Sequence, residues 1–409
     1  MRKLKIKNFG PIKDGCSDGW IEMKKVTVFI GNQGSGKSTI AKVLSTCSWI
    51  EKAINREDFS EEINVTKFRE FFEYHNLQGY FRIDTLLEYE GDLLSIKYDP
   101  KRNRFKIDDK TFDTFIVPKI MYVPAERNFL SVIKNATGVR GLPAPLFEFA
   151  EELQRGQHEY KGDKISLPIN DVYYKYDKNS DSSFIMGKDF DVNLLAASSG
   201  FQSIVPLFIV SLSLSRIINS GSEINPDNIS VKHSIRMNER ISKIINNSNI
   251  SELDQVVNII EIKSKFQNKA FINIVEEPEQ NLFPTSQWEL LKKLFEFNNM
   301  NVGNRLVLTT HSPYLINYIS IAAQAGFLID EISKSNNRNE LKKRVENVIS
   351  EKSIVRGNDV AIYQLDENKG TISLLPNPEG IPSDNNYLNE SLRHGNELFD
   401  SLLEIEQEL

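Results

Sequence analysis

Apolar and polar residues alternate at the start of the chain, where Leu4, Ile6 and Phe9 stand among Lys3, Lys5, Lys7 and Asn8, the pattern of a strand with one buried face. Met23 to Ile30 follows as a β-branched run ending in a glycine-rich turn, and Lys37 to Ile50 then carries a helical pattern. Strand, loop and helix therefore come in that order. Residues 51 to 115 predict a charged helical stretch and then a β-hairpin, in which LLSIKY and NRFKID turn at Asp99 and Pro100. Ile116 to Val123 is a further apolar run stopped by Pro124, and residues 131 to 165 read as mixed and loop-rich. DVYYKYDKNSDSSFIMGKDFDVNLL predicts a second hairpin turning near Asn179 and Ser180.

Leu194 to Ser215 has no formal charge and is long enough to cross a bilayer, yet it holds six serines, Gln202 and Pro206, so a buried helix is the expected state. Residues 216 to 269 predict helices punctuated at Asn225, Asp227 and Asn246 to Asn249, with no room for a long coiled coil. FINIV at 271 to 275 and LVLT at 306 to 309 read as strands flanking a helix at Trp288 to Phe297. Strands alternating with helices predict an α/β fold, a mostly parallel sheet with helices outside.

Composition narrows the class. The 409 residues are 40% hydrophobic and 26% charged, which excludes a disordered, collagen-like or disulfide-scaffold chain. The net charge of −6 excludes a chain that is basic overall, and residues 381 to 409, with seven acids against Arg393, carry that whole excess. Residues 1 to 25 hold seven Lys or Arg against three acids, so an anion-binding surface must be local. Cys16 and Cys47 are too few for a disulfide framework or a metal cluster, and no apolar leader follows the basic start, so a cytoplasmic setting without a membrane is expected.

The strongest chemical signal is the loop Gly31-Asn32-Gln33-Gly34-Ser35-Gly36-Lys37-Ser38, followed by Thr39, between a predicted strand and helix. Glycines let backbone N–H groups curl around phosphate oxygens at a helix N-terminus, so the loop predicts ATP or GTP binding. Lys37 is placed at the β- and γ-phosphates and Ser38 on Mg²⁺. A second signal is FINIV followed by Glu276-Glu277-Pro278-Glu279: Glu276 is assigned to the metal and Glu277 to the attacking water, against a solvated acidic turn. His311, after the strand LVLTT and before Ser312-Pro313, is placed at the γ-phosphate. Ser198, Ser199, Gly200 and Gln202 open the uncharged helix, either as an anion site or as an ordinary serine cap.

Together these motifs resemble the ABC-type ATPases of the RecF, SMC and OLD class, often described as AAA-family ATP-binding proteins. MRKLKIKNFGPIKD looks like their opening strand, GNQGSGKST their Walker A motif, SSGFQS their signature, INIVEEPEQNLFP their Walker B motif with the following D-loop region, and LVLTTHSPYLI their switch-histidine segment. The resemblance implies a P-loop NTPase fold, an ABC-type head at residues 1 to 330 with an antiparallel β-subdomain, and a helical insertion at 216 to 269. Residues 331 to 409 are then expected as a segment packed on the head beside its sheet. It implies Mg²⁺-dependent ATP hydrolysis, with ATP sandwiched between two heads: Lys37, Ser38, Glu276, Glu277 and His311 of one facing Ser198, Ser199, Gly200 and Gln202 of the other.

Three departures qualify the pattern. Glu276 stands where Walker B has Asp, 76 residues separate Gly200 from Glu276, and no clear Q-loop glutamine is present. Glu126 and Arg127, after the apolar run ending at Val123, occupy the comparable place, either near the metal or γ-phosphate or in a structural salt bridge. The residues after His311 hold no Asp-x-Asp pair of the kind a TOPRIM nuclease uses. The resemblance therefore points to the stand-alone ATPases of bacterial antiphage systems, the AriA type of PARIS or the PtuA type of Septu, with a TOPRIM or HNH nuclease effector on another polypeptide. Competing expectations are a RecF-like DNA clamp, for which Lys101, Arg102, Arg104 and Lys106 would track phosphates or merely cap a solvated hairpin, and a regulator that holds ATP without turnover.

Overall fold

A computed structural model describes residues 2–17, 19–110, 115–134, 136–220, 231–246, 251–334 and 337–408. Strands β1 (Lys3–Phe9), β2 (Gly15–Cys16), β3 (Ile21–Glu22) and β4 (Val26–Gly31) lead into helix α1 (Lys37–Asn55). Helix α2 (Val65–Glu70), strands β5 (Phe81–Glu90), β6 (Leu94–Asp99), β7 (Arg104–Asp109) and β8 (Pro118–Val123), and helix α3 (Ala144–Glu159) come next. Strands β9 (Ile165–Ser166), β10 (Tyr173–Asp177), β11 (Ser182–Met186) and β12 (Asp191–Asn193) precede helices α4 (Ser199–Asn219), α5 (Val231–Ile245) and α6 (Glu252–Phe266). Strand β13 (Ala270–Glu276), helix α7 (Pro284–Asn299), strand β14 (Arg305–Thr310) and helices α8 (Pro313–Ile332) and α9 (Arg338–Glu346) follow. Strands β15 (Val360–Asp366) and β16 (Thr371–Leu374) and helix α10 (Tyr387–Gln407) end the chain.

The main sheet has the order β2-β16-β15-β4-β14-β13-β8, and its five strands from β15 to β8 are parallel. The central strands β4, β14 and β13 are buried on both faces, as a parallel sheet between two layers requires. Alternate residues of β4 point to opposite layers. Val26, Val28 and Ile30 join one core with α3, α4, α7 and α8, whereas Phe29 joins a second core with α1 and the five-stranded antiparallel sheet β3-β1-β5-β6-β7. A smaller antiparallel sheet, β12-β11-β10-β9, lies against the first core through Tyr174, Tyr176 and Ile185.

Three segments depart from the reading of the sequence. Part of the charged stretch before the first hairpin is strand β5, because Leu87 and Tyr89 find a buried face against β1 that local pattern does not reveal. The loop-rich segment contains α3, whose Pro145 sits in the first turn, where proline starts a helix rather than breaking it. The C-terminal segment does not merely pack beside the sheet: β15 pairs in parallel with β4, from Val360 opposite Val26 to Leu365 opposite Gly31. The helical insertion is described as α5 and α6; the turn positions Asn225, Asp227 and 247 to 249 lie outside the described residues.

Among the described residues two helices, α4 and α8, are long and apolar enough to cross a membrane, but 78% of the apolar window of α4 is buried inside the fold, and 39% of that of α8. In α4 the interior Pro206 and Ser203, Ser211, Ser213 and Ser215 lie in the core, and the buried Ser211 hydroxyl accepts from Asn273 Nδ2 of β13 at 3.0 Å. The acidic end forms α10, none of whose side chains is fully buried, although Leu388 packs against the first core.

Candidate functional site

Strand order brings the motifs together. β14 lies between β4 and β13, with Glu276 level with Thr309 and Thr309 level with Phe29. The loop after β4, the His311 turn after β14 and the two glutamates ending β13 therefore emerge on one edge, the C-terminal edge of parallel strands where α/β folds bind ligands.

The loop after β4 demands glycine for geometric reasons. Gly36 has φ 104°, and a Cβ there would lie 2.5 Å from Ile12 Cδ1; Gly31 has φ 148°, and its Cβ would lie 2.5 Å from the Leu365 carbonyl oxygen. Asn32, Gln33 and Gly34 are exposed, Ser35 and Thr39 are buried, and Ser38 is half-buried at the start of α1. The Ser35 hydroxyl has no hydrogen-bond partner among the described residues. Asn32 Nδ2 donates to Glu367 Oε1 at 3.1 Å, which fastens the loop to the turn after β15.

Lys37 is folded onto its own loop, donating from Nζ to the carbonyls of Gly31 and Asn32 at 2.9 Å each. Burial lowers its pKa to about 8, while the charges of Glu277, Glu279 and Glu276 pull the other way. An ammonium with only two carbonyl partners has donor capacity left for phosphate oxygens.

Glu276 is 5% exposed. Its Oε2 accepts from Ala125 N at 3.3 Å, and its Oε1 is buried without a well-formed hydrogen bond. The Tyr122 hydroxyl on β8 is raised well above its ordinary pKa, by burial and then by the neighbouring Glu276 charge. Glu277 takes the left-handed conformation with φ 42°, uncommon for a side-chain-bearing residue, and its N–H donates to Thr309 O at 2.9 Å. Its carboxylate lies beside His311, whose Nε2 is 3.8 Å from Glu277 Oε1. His311 has a lowered pKa, through burial first and then the charge of Lys37.

Glu279, given no role by the sequence reading, accepts from Thr310 Oγ1 at 2.8 Å and from His311 N at 2.7 Å. Its pKa is raised, chiefly by burial, and its Oε2 is left without a partner among the described residues. It pins the histidine turn to the Walker-B-like turn. The signal for it was a third carboxylate in Glu276-Glu277-Pro278-Glu279, but its partners lie 31 and 32 residues away.

Glu126 and Arg127 part company. Glu126 is exposed and lines a cleft of about 760 Å³ with Lys42, Asn128, Glu276 and Gln280. Among the described residues Arg127 forms no salt bridge, the structural role weighed for it: it is fully buried and gives its N–H groups to carbonyl oxygens, Nη1 to Glu276 O at 2.6 Å, Nη2 to Glu277 O at 2.6 Å and Nε to Ser203 O at 3.2 Å.

At the start of α4, Ser198 and Ser199 are exposed, and Ser198 is the N-cap without a side-chain cap bond. Gly200 packs on the turn after β13, where an added Cβ would lie 2.9 Å from the Asn281 carbonyl oxygen. Gln202 is turned inward, donating to Leu194 O at 3.2 Å and Leu195 O at 3.1 Å. Lys37, Glu276, Glu277 and His311 therefore gather at one edge, while Ser198 and Ser199 lie exposed at the start of α4.

The donor set suits Mg²⁺. No group of three His, Cys, Asp or Glu capable of holding a metal occurs among the described residues, but Mg²⁺ needs only one or two protein oxygens beside phosphates and waters. Glu276 Oε1, buried without a well-formed hydrogen bond, and the half-buried Ser38 hydroxyl are oxygens of that kind.

No protein-family model matches the chain. Over 78 residues, 18% of this chain, it is 31% identical to the cell division ATP-binding protein FtsE of Bacillus subtilis (strain 168). The chain spans 33% of the length of that relative. Among solved structures it is similar to an SMC head domain from Thermotoga maritima, with 11% identity, a TM-score of 0.37, and 91% of this chain and 97% of that one covered. A second is an SMC head bound to the C-winged helix domain of ScpA, at 10% identity and TM-score 0.34, covering 91% and 96%. A third is an SMC head with an extended coiled coil, bound to the C-terminal domain of ScpA derived from Pyrococcus furiosus, at 10% identity and TM-score 0.35, covering 92% and 96%. The fold itself is α/β with a phosphate-type loop between strand and helix, a mostly parallel core sheet and separate antiparallel sheets.

Proposed function

We propose that this chain is an ABC-type ATPase head, a cytoplasmic switch that binds and hydrolyses ATP with Mg²⁺ and self-associates with nucleotide between two copies. The observation that carries the reading is the meeting of Lys37, Glu276, Glu277 and His311 at the ends of three adjacent parallel strands, with the Lys37 charge facing those carboxylates. Asn32 to Thr39 hold the phosphates, chiefly through backbone N–H groups, and Lys37 exchanges the Gly31 and Asn32 carbonyls for phosphate oxygens. Ser38 and Glu276 hold Mg²⁺, which neutralises phosphate charge when bound. Glu277 accepts the proton of the attacking water, and His311, neutral at pH 7, orients that water or the γ-phosphate. Ser198, Ser199 and Gly200 contact nucleotide held by the partner copy, while Gln202 holds the turn beneath them.

In this reading hydrolysis opens the assembly and controls a separate effector, a TOPRIM or HNH nuclease, in antiphage defence of the PARIS or Septu kind. The test is to isolate Glu277→Gln from its native host with Mg²⁺ and ATP. A stoichiometric protein bearing nuclease motifs is the expected companion. Recovery of DNA without such a protein would favour a repair clamp instead, for which the exposed Lys101, Arg102, Arg104 and Lys106 at the tip between β6 and β7 offer phosphate contacts.

A further inference from the structure

Residues 124 to 131 bridge two parts of the molecule that the proposed reaction must keep in step. On one side lies the end of β13. Ala125 N donates to Glu276 Oε2 at 3.3 Å, and the Arg127 guanidinium reaches the backbone carbonyls of both Glu276 and Glu277 at 2.6 Å. On the other side lies the first turn of α4. Arg127 Nε donates to Ser203 O at 3.2 Å, and Ser131 Oγ donates to Gln202 O at 2.7 Å.

A fully buried arginine ordinarily meets a carboxylate, because an unpaired charge in the interior is costly. Arg127 instead spends its planar fork on carbonyl oxygens, the nearby one of Pro124 at 3.4 Å and three more from two distant parts of the chain, 76 and 149 to 150 residues away in sequence. A fork of fixed geometry transmits displacement, since its N–H directions cannot be retained if one acceptor moves alone. The acceptors on β13 belong to the two residues whose carboxylates serve metal and water, and one of them, Glu277, already holds a left-handed backbone. The acceptor on α4 is three residues past Gly200, which itself abuts the Asn281 carbonyl oxygen.

Resting on the reading above, we propose that Arg127 is a positioning residue that couples the start of α4 to the Glu276-Glu277 turn, so that engagement of Ser198 to Gly200 by a partner's nucleotide sets the geometry of the carboxylates in the same chain. Each copy then completes its own metal and water positions only when its α4 is engaged. Nucleotide binding to a single copy depends on the loop after β4 and is left intact.

The experiment measures ATP affinity and steady-state turnover at rising protein concentration for wild type, Arg127→Lys, Ser131→Ala, Gly200→Ala and the last two combined. Lysine keeps the charge but cannot span carbonyls on both elements. Arg127→Lys is expected to bind ATP within about threefold of wild type and to lose at least about tenfold in turnover, without the rise on self-association. Ser131→Ala removes the parallel tie without burying a charge, and its loss of about two- to fivefold is expected to vanish when Gly200→Ala is already present. Turnover of Arg127→Lys that equals wild type, or that falls by the same factor as its ATP affinity, overturns the proposal. So do independent, multiplying losses from Ser131→Ala and Gly200→Ala, which decide the matter if Arg127→Lys does not fold. Failure of wild type itself to bind and turn over ATP would instead remove the underlying functional reading.

Discussion

Arg2 and Arg127 are both buried, at 7% and 0% exposure, yet Arg2 is met by carboxylates and Arg127 by carbonyl oxygens. Arg2 Nε lies 3.1 Å from Glu51 Oε2 on α1, and its Nη2 lies 3.1 Å from Asp92. Glu51 is fully buried and also accepts from Leu93 N at 2.7 Å and Tyr89 Oη at 3.2 Å, which staples α1 to the five-stranded sheet. Burial opposes the Arg2 charge, but Tyr89, Glu51 and Asp92 raise its pKa above the ordinary value. For Arg127 burial wins and lowers it to about 10, although Glu279, Glu277 and Glu276 act in the opposite sense. A staple closed by opposite charges has one stable arrangement. A fork held by backbone dipoles beside three acidic side chains responds to whatever moves those elements.

The contrast breaks most visibly at the staple. Glu51→Leu strands the Arg2 charge beside Asp92 alone, and a loss of about 3 to 5 kcal/mol is expected in urea denaturation, with turnover per folded molecule unchanged. Selective loss of turnover at full stability would put the staple in the site. A smaller effect is expected at Glu279. Glu279→Ala frees the His311 N–H and Thr310 hydroxyl, so turnover falls about tenfold while ATP affinity holds, whereas Glu279→Gln, which keeps an acceptor oxygen, stays within about threefold.

The smallest effect is a proton balance. Because the folded pKa of Lys37 is about 8, below the usual lysine value, the unfolded chain binds more protons above pH 8, and stability rises with pH across that window. Phosphates restore the ammonium, so ATP binding takes up a proton there and weakens as pH rises above 8. Calorimetry in buffers of different ionisation enthalpy reads this directly on the wild-type chain: the uptake is expected to grow from pH 7 to pH 9, and a binding enthalpy independent of the buffer across that range would contradict it. His311, also lowered, contributes in the opposite range: protonation is resisted in the folded state, so stability falls as pH drops below the ordinary histidine value.

The legible parts of the molecule are those where chemistry and chain neighbourhood coincide. Gly31 to Ser38 need specific residue types at fixed spacing because the backbone itself forms the cradle, and the short apolar runs before Gly31, Glu277 and His311 become buried parallel strands. Long-range partnership was not legible. Strand β5 acquires its face only from β1, β15 enters the sheet beside a strand more than 300 residues earlier, and the two hydrogen bonds of Glu279 run to another strand end. Arg127 was visible as a residue after a strand, but no spacing announces that its acceptors are backbone oxygens of Glu276, Glu277 and Ser203.

The most direct test of the central claim is ATP binding and turnover with Mg²⁺ for wild type, Lys37→Ala and Glu277→Gln, with assembly size followed in the same samples. The account predicts that Lys37→Ala loses ATP binding, and that Glu277→Gln keeps it, loses turnover by about a hundredfold or more and accumulates as the closed assembly. Turnover by Glu277→Gln equal to wild type, or ATP binding undiminished in Lys37→Ala, would contradict it.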